Sequence, residues 1–279
     1  MRMEDLDRNR VRPGLAEQIL EDLTWLGLDW DEGPDRGGVH APYEQWARLD
    51  RYEVAFERLR TAGQVYSCFC SRKDVAAAAS APQAPGDEVR YPGTCREIEP
   101  ARAAERVASG ERHAWRFRVT SALAPAFDDL VREARQDDRA PGDFVVYRAD
   151  GVPAYQLAVV VDDAAMGVTE VVRGDDLLAS TAKQLLLIDA LSLDVPIYGH
   201  VPLLLGTDGI RLSKRHRGVT LRELRARGMS PEGIVGRLAH LLGLLPEARP
   251  VSSGDLVDRF RWADLRPAPE GIVVNTTGW

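Results

Sequence analysis

Three places in this chain carry residues whose types and spacing could do chemistry. The first is Arg173, which closes a short apolar run, Val168 to Val172, and opens the turn Gly174-Asp175-Asp176. A guanidinium fixed at the end of a buried strand presents a planar fork suited to a carboxylate or a phosphate. Tyr155, just before a second apolar run from Leu157 to Val161, could add a hydroxyl donor to the same crevice. The plain alternative is that Arg173 is neutralised by Asp175 or Asp176. The second place is the trio Cys68, Cys70 and Cys95. Three thiolates around the low-complexity stretch Ala76 to Gly86 would make most of a tetrahedral zinc site, with a fourth ligand still required. Alternatively they pack as small hydrophobes. The third is Lys214, within Arg211-Leu212-Ser213-Lys214-Arg215, which follows the turn Gly206-Thr207-Asp208-Gly209. The segment Arg211 to Arg227 is dense in cations, either a solvated face or a strip for nucleic acid.

The elements that must position these residues follow from periodicity. Leu157 to Val161 and Val168 to Val172 read as strands of a parallel sheet, buried on both faces, with Asp162-Asp163 and Arg173 at their carboxyl ends. Ligands bind above such strand tips in open α/β sheets. His200 to Leu205 reads as a further strand, and His200, beside the sheet end, as a structural residue. Pro13 to Gly27 is an amphipathic helix with Leu15, Ile19, Leu23 and Leu26 on one face, and Glu44 to Ala62 another with Leu49, Tyr52, Phe56 and Leu59 in phase. Trp115 to Val119 alternates like a half-wet strand. Asp150-Gly151 marks a hairpin between Phe144 to Tyr147 and Val152 to Tyr155. Ala182 to Leu191, Thr220 to Arg227, Ser230 with Pro231 onward, and Ser253 to Phe260 read as helices.

With 279 residues and 44% hydrophobic composition, the chain can bury a core in one large domain or in one domain with a small appendage. The net charge of -7 advertises no global basic field, so any nucleic-acid partner must meet a local strip. Three cysteines suit no disulfide framework, and neither a signal peptide nor a long apolar run is present. The expectation is a cytoplasmic protein that does not enter membranes.

Tyr155 through Thr181 resembles the central segment of class I glutamyl-tRNA synthetases, and more closely that of the short glutamyl-Q tRNA(Asp) synthetases. Arg2-Met3-Glu4-Asp5-Leu6-Asp7 is similar to their R-x-E-D-x-D segment, Cys68 and Cys70 with Tyr91 and Cys95 to their C-x-C and Y-x-x-x-C, and Arg211 to Arg215 to the K-M-S-K-S loop in its L-S-K-R form. The resemblance implies an α/β fold: a Rossmann-like parallel sheet, N-terminally truncated, with an inserted zinc-binding acceptor subdomain and a C-terminal helical segment. The implied divisions are 1–64 and 149–219 for the nucleotide-binding fold, 65–148 for the insert and 220–279 for the tail. The family's first strand, its P-x-P-T-G turn and its H-x-G-H helix would precede Arg2 and have no counterpart in the sequence. No anticodon-binding domain follows, which points to the short branch.

By the same resemblance Glu4, Tyr155 and Arg173 hold L-glutamate. Arg211, Leu212, Ser213, Lys214 and Arg215 serve ATP with Mg²⁺, and Lys214 meets the phosphate charge. Cys68, Cys70, Tyr91 and Cys95 bind one structural zinc. The implied activity makes glutamyl-adenylate without tRNA and passes glutamate to the queuosine at the wobble position of tRNA(Asp), engaging its anticodon arm. A monomer is expected. The alternatives are a fragment of an ordinary glutamyl-tRNA synthetase and a catalytically impaired remnant that binds tRNA or glutamate.

Overall fold

The computed structural model describes residues 1–78, 90–132, 140–212, 220–266, 268 and 270–275. The N-terminal segment runs parallel to Glu44: the Tyr43 carbonyl accepts from the Met3 N–H at 2.8 Å, and the Met3 carbonyl from the Gln45 N–H at 3.0 Å. Helix α1 (Leu15–Trp25) ends before Gly27, whose positive φ of 74° suits a residue without a side chain. Its expected apolar face is only half covered, with Leu15 41% and Ile19 39% exposed. Its charged edge is what meets the rest of the fold, through Glu21 to Arg225 at 3.3 Å and Trp25 beneath the Arg225 guanidinium. A 3-10 turn, Gln45–Arg48, leads into α2 (Leu49–Thr61), which buries Tyr52, Ala55, Phe56 and Leu59 on one face.

Strand β1 (Val65–Cys68), α3 (Arg72–Ala78), α4 (Pro100–Ala108), β2 (Ala114–Phe117) and β3 (Phe144–Tyr147) follow. The strands form an antiparallel sheet in the order β1-β2-β3, with Tyr66 opposite Arg116 and Phe117 opposite Phe144. The Phe117 and Phe144 rings stack 5.3 Å apart and carry this sheet into the main core. At the Asp150-Gly151 turn the Arg148 carbonyl accepts from the Gly151 N–H, and Pro153 bridges back to Tyr147.

The run expected as the central strand, Leu157 to Val161, is instead part of helix α5 (Tyr155–Ala165). A short continuous apolar run fits a buried strand or a buried helix equally well. Here α5 packs against α2, β3 and α6 (Leu178–Leu191), so Leu157, Ala158, Val159 and Val160 are all buried and no polar stripe marks the helix. Three consecutive valines cost a helix only about 0.5 kcal/mol each. Burying each of these side chains returns about 1.5–3 kcal/mol, so packing decides.

Strand β4 (Glu170–Gly174) begins two residues later than its apolar run suggests, and β5 (Ile197–Val201) pairs with it in parallel, Arg173 opposite His200. The expected strand His200 to Leu205 is split, because Pro202 offers no N–H to a ladder; β6 (Leu204–Leu205) resumes beyond it. Then come α7 (Leu221–Ala226), capped by Thr220 and Glu223, α8 (Pro231–Leu241), capped by Ser230, α9 (Ser253–Val257), and β7 (Ile272–Val273), parallel to β6.

The aspartates expected at a strand tip sit in the last turn of α5, where the helix dipole disfavours a carboxylate. Asp162 is nevertheless fully buried. It accepts from Arg48 Nε at 2.6 Å, Gln45 Nε2 at 2.9 Å and the Tyr52 hydroxyl at 2.8 Å, with Arg2 Nε 3.7 Å away. Burial and the Asp162 carboxylate raise the Tyr52 phenol above its ordinary value. Arg48, itself without exposed surface, also donates to the carbonyls of His40 and Pro42. Replacing Asp162 with asparagine strands a buried guanidinium, which costs about 3–5 kcal/mol. Urea unfolding of Asp162→Asn should show that loss; a change below about 1 kcal/mol would contradict the central role given to this carboxylate.

Candidate active site

Arg173 leaves the carboxyl half of β4 and is held on three sides. Its Nε donates to His200 Nε2 at 3.1 Å, Nη1 to Gln184 Oε1 at 2.7 Å and Nη2 to Thr181 Oγ1 at 2.8 Å, while its guanidinium lies 5.1 Å from the centre of the Tyr198 ring. The register of β4 and β5 places His200 beside it, and α6 supplies Thr181 and Gln184, one turn apart. Asp175 pairs with Arg132 and Asp176 with Arg211, so the alternative in which either neutralises Arg173 is not adopted. Among the described residues, no carboxylate forms a salt bridge with Arg173. A guanidinium carries five N–H donors, and the described residues engage three of those of Arg173, which leaves two for a ligand.

Tyr155 opens α5, 37% exposed. Burial first, and then the Glu4 carboxylate, raise its phenol above the ordinary value, against the opposing charge of Arg173 and a hydrogen bond with Gln184. Glu4 and Arg173 thus both lie within electrostatic reach of Tyr155. Glu4 is steadied by Arg2 at 3.1 Å, and Arg2 by Asp163 at 2.7 Å. Burial raises the Asp163 carboxyl in spite of Arg2. A cleft lined by Asp163, Gln184, Ile188 and Tyr198 continues from this site between α5, α6 and β5.

The cation loop begins as a return on β6. Gly206 donates to the Ile210 carbonyl and Leu212 to the Leu204 carbonyl, and Arg211 reaches Asp176 just past the tip of β4. Its base is therefore tied to the strand that carries Arg173. Ser213, Lys214 and Arg215 lie outside the described residues.

The sulfurs of Cys68, Cys70 and Cys95 all lie within 4.8 Å of one another. The Tyr91 hydroxyl stands 3.4 Å from Cys68 Sγ and 3.7 Å from Cys70 Sγ, and it accepts from the Cys95 N–H at 2.8 Å. With metal–sulfur bonds of about 2.3 Å, a tetrahedral ion wants its sulfurs roughly 3.8 Å apart. The Cys70 to Cys95 distance of 3.5 Å is close to that, so the donor set fits a metal ion. Burial lifts the Cys70 thiol to about 11. Cys95 stays below its ordinary value because hydrogen bonds from Tyr91 and the Phe69 backbone outweigh its burial. Arg116 adds a cation to the cluster, donating from Nε to Cys68 Sγ at 3.2 Å with its guanidinium 3.8 Å from the Tyr91 ring centre.

Residues 1–251 match the family model of the catalytic domain of class I tRNA synthetases for glutamate and glutamine. The chain belongs to this synthetase family. Among its relatives, a glutamyl-Q tRNA(Asp) synthetase of Symbiobacterium thermophilum is 51% identical over 99% of this chain and 86% of its own length. One of Nitratidesulfovibrio vulgaris is 47% identical over 96% and 83%. The crystal structure of glutamate-tRNA synthetase from Elizabethkingia anophelis superposes with a TM-score of 0.83 at 26% identity, covering 98% of this chain and 60% of that one. The chain therefore spans well under two thirds of the solved synthetase. Its fold is that of a class I synthetase, with parallel pairing in an α/β framework, and its family is one of ligases.

Several partners in this synthetase's site carry little sequence signal. Thr181 and Gln184 are ordinary helix residues until β4 is placed, and Asp129, which accepts from the His200 imidazole, lies far off in the chain. Burial lowers the His200 imidazole in spite of Asp129. Asp129 is lowered as well, since its hydrogen bonds from His200 and from backbone outweigh its burial. A group whose folded value lies below its unfolded one stabilises the fold above the unfolded value and loses that stability as pH falls. Melting temperature should therefore drop as pH falls below about 6.5, where His200 charges in the unfolded chain, and again below about 4 through Asp129. His200→Gln should flatten the first decline, and an unchanged profile would contradict this assignment.

Proposed function

We propose that this synthetase activates L-glutamate with ATP, without tRNA, and transfers it to the queuosine at the wobble position of tRNA(Asp). The observation that carries the reading is the guanidinium of Arg173, salt-bridged to no carboxylate among the described residues and within electrostatic reach of Tyr155, which Glu4 reaches as well. In the reaction a carboxylate of glutamate takes the two open donors of Arg173, Tyr155 adds its hydroxyl, and Glu4 receives the ammonium group. An α-carboxylate oxygen attacks the α-phosphorus of ATP, and pyrophosphate departs with the electrons of the broken P–O bond. Charge builds on the phosphate oxygens with no protein nucleophile involved, so a preorganised cation is the main catalytic need. Lys214 meets that charge, and Arg211, Leu212, Ser213 and Arg215 present the loop to the nucleotide. Mg²⁺ bound with ATP would screen the phosphate oxygens. A hydroxyl of the queuosine ring then attacks the acyl carbon of glutamyl-adenylate, and AMP leaves. Glutamine, a neutral amide, would leave a buried cation unpaired and is rejected on that ground.

In the same reading Cys68, Cys70, Cys95 and Tyr91 hold one structural zinc, which clamps the insert 65–148 over the acceptor side of the site. The divisions 1–64 and 149–219 form the nucleotide-binding fold, and 220–279 the tail. Support for the metal comes from the spacing of the donors and from Arg116, a cation that donates to Cys68 Sγ.

Purified protein should catalyse glutamate-dependent exchange of pyrophosphate into ATP, and Arg173→Ala should lower kcat/KM for glutamate by about 100-fold, as truncating one side of a buried charge pair does. Absence of exchange in the wild type would overturn the activity. For the metal, the protein should contain about one zinc per chain by atomic emission, and Cys95→Ser should lose most of it. Wild-type stoichiometry in that variant would remove Cys95 from the ligand set.

A further inference from the structure

His200 has no exposed surface, and both its ring nitrogens are engaged. Its Nδ1 meets Asp129 Oδ2, and its Nε2 meets the Nε–H of Arg173 at 3.1 Å and the Thr181 hydroxyl at 3.2 Å. An arginine is always a donor, so Nε2 must accept and the imidazole must be neutral, with its proton on Nδ1. What enforces that tautomer is the way Asp129 is itself held. Its Oδ1 accepts three backbone N–H groups, from Val131 at 3.0 Å, Arg132 at 2.9 Å and His200 at 3.2 Å, and among the described residues Oδ2 meets the imidazole alone. Asp129 belongs to a segment that bridges β5 through Tyr198.

From this we infer that Asp129 and His200 form a positioning pair whose task is to fix the plane and charge of Arg173. Were a carboxylate to take the place of the imidazole, it would aim Arg173 equally well but cancel its charge. A neutral acceptor, polarised by an aspartate one bond further back, aims the fork and leaves the charge for the ligand. The inference rests on the reading that Arg173 binds glutamate, and it adds residues that touch no substrate.

The tautomer makes the pair testable with an isosteric change. In Asp129→Asn the side-chain oxygen stays with the three backbone donors, so the amide N–H₂ faces Nδ1. The imidazole must then accept there and carry its proton on Nε2, toward the Nε–H of Arg173. The Nε2–H can turn to Thr181 Oγ1, but the Nε–H of Arg173 then has no acceptor on the imidazole, and its aim is lost. In the wild type, nitrogen NMR should show a scalar coupling across the N–H···N bond between Arg173 Nε and His200 Nε2, and Asp129→Asn should abolish it. Calorimetry should show the Kd for glutamate raised on the order of tenfold or more in Asp129→Asn and in His200→Leu, with the Kd for ATP changed less than about twofold. His200→Gln, whose amide oxygen can still accept from Arg173, should stay within about threefold of the wild type. Absence of the coupling in the wild type, or an unchanged glutamate Kd in Asp129→Asn, would overturn the inference. Protein that binds glutamate and shows the coupling, yet exchanges no pyrophosphate, would sink the proposed activity and leave the positioning pair standing.

Discussion

A carboxylate with no exposed surface, at the end of a helix whose dipole opposes it, is tolerable only if its surroundings supply cations and donors at short range. Asp162 obtains them from three separate stretches: the N-terminal segment through Arg2, the 3-10 turn through Gln45 and Arg48, and α2 through Tyr52. None of these can move away without leaving an ion stranded. That requirement fixes the start of the chain against α5, and so places Glu4 near Tyr155. Such a constellation adds little net stability over an apolar one, since desolvation offsets most of the attraction. Its contribution is geometric.

The same principle, applied to the site, explains why Arg173 is chemically available. Each acidic side chain around it is engaged elsewhere: Asp163 with Arg2, Asp175 with Arg132, Asp176 with Arg211, Asp129 with His200. Among the described residues, Arg173 hydrogen-bonds a hydroxyl, an amide and an imidazole and lies over an aromatic face. A positive charge left without a counter-ion in a partly enclosed hollow is costly, and an anionic ligand relieves that cost on binding.

How much of this was legible from sequence varies with the range of the interaction. The helix start at Ser230-Pro231 was readable, because it acts within a few residues; the capping box of Thr220 with Glu223 emerges with α7. The turn at Asp150-Gly151 and the strand before it, β3, were likewise readable, but the expected second strand, Val152 to Tyr155, is a single bridge from Pro153 to Tyr147, and Tyr155 already opens α5. The central error, a strand over Leu157 to Val161, came from a run that is apolar because three neighbours enclose it, and periodicity holds no information about neighbours. Arg173 and the cysteine trio could be picked out from residue type and spacing, and resemblance added Glu4 and Tyr91. The partners that aim Arg173 could not be, since Thr181, Gln184 and Asp129 acquire meaning only when β4, β5 and α6 are assembled. Leu15 and Ile19 had the spacing of a buried face and remain half open to solvent, so amphipathic spacing by itself does not establish burial.

The bond from Arg2 to Asp163 joins residues 161 positions apart. At about 5–20 residues per second on the ribosome, the first partner emerges roughly 8 to 32 s before the second. Glu21 waits longer still for Arg225, and Leu204 for Ile272. Throughout that interval the hollow that α5 and β4 build does not exist. No ligand of Arg173 can be held until α6 and β5, which carry its partners Thr181, Gln184 and His200, have followed, so a nascent chain halted short of them is a charged, unclosed body.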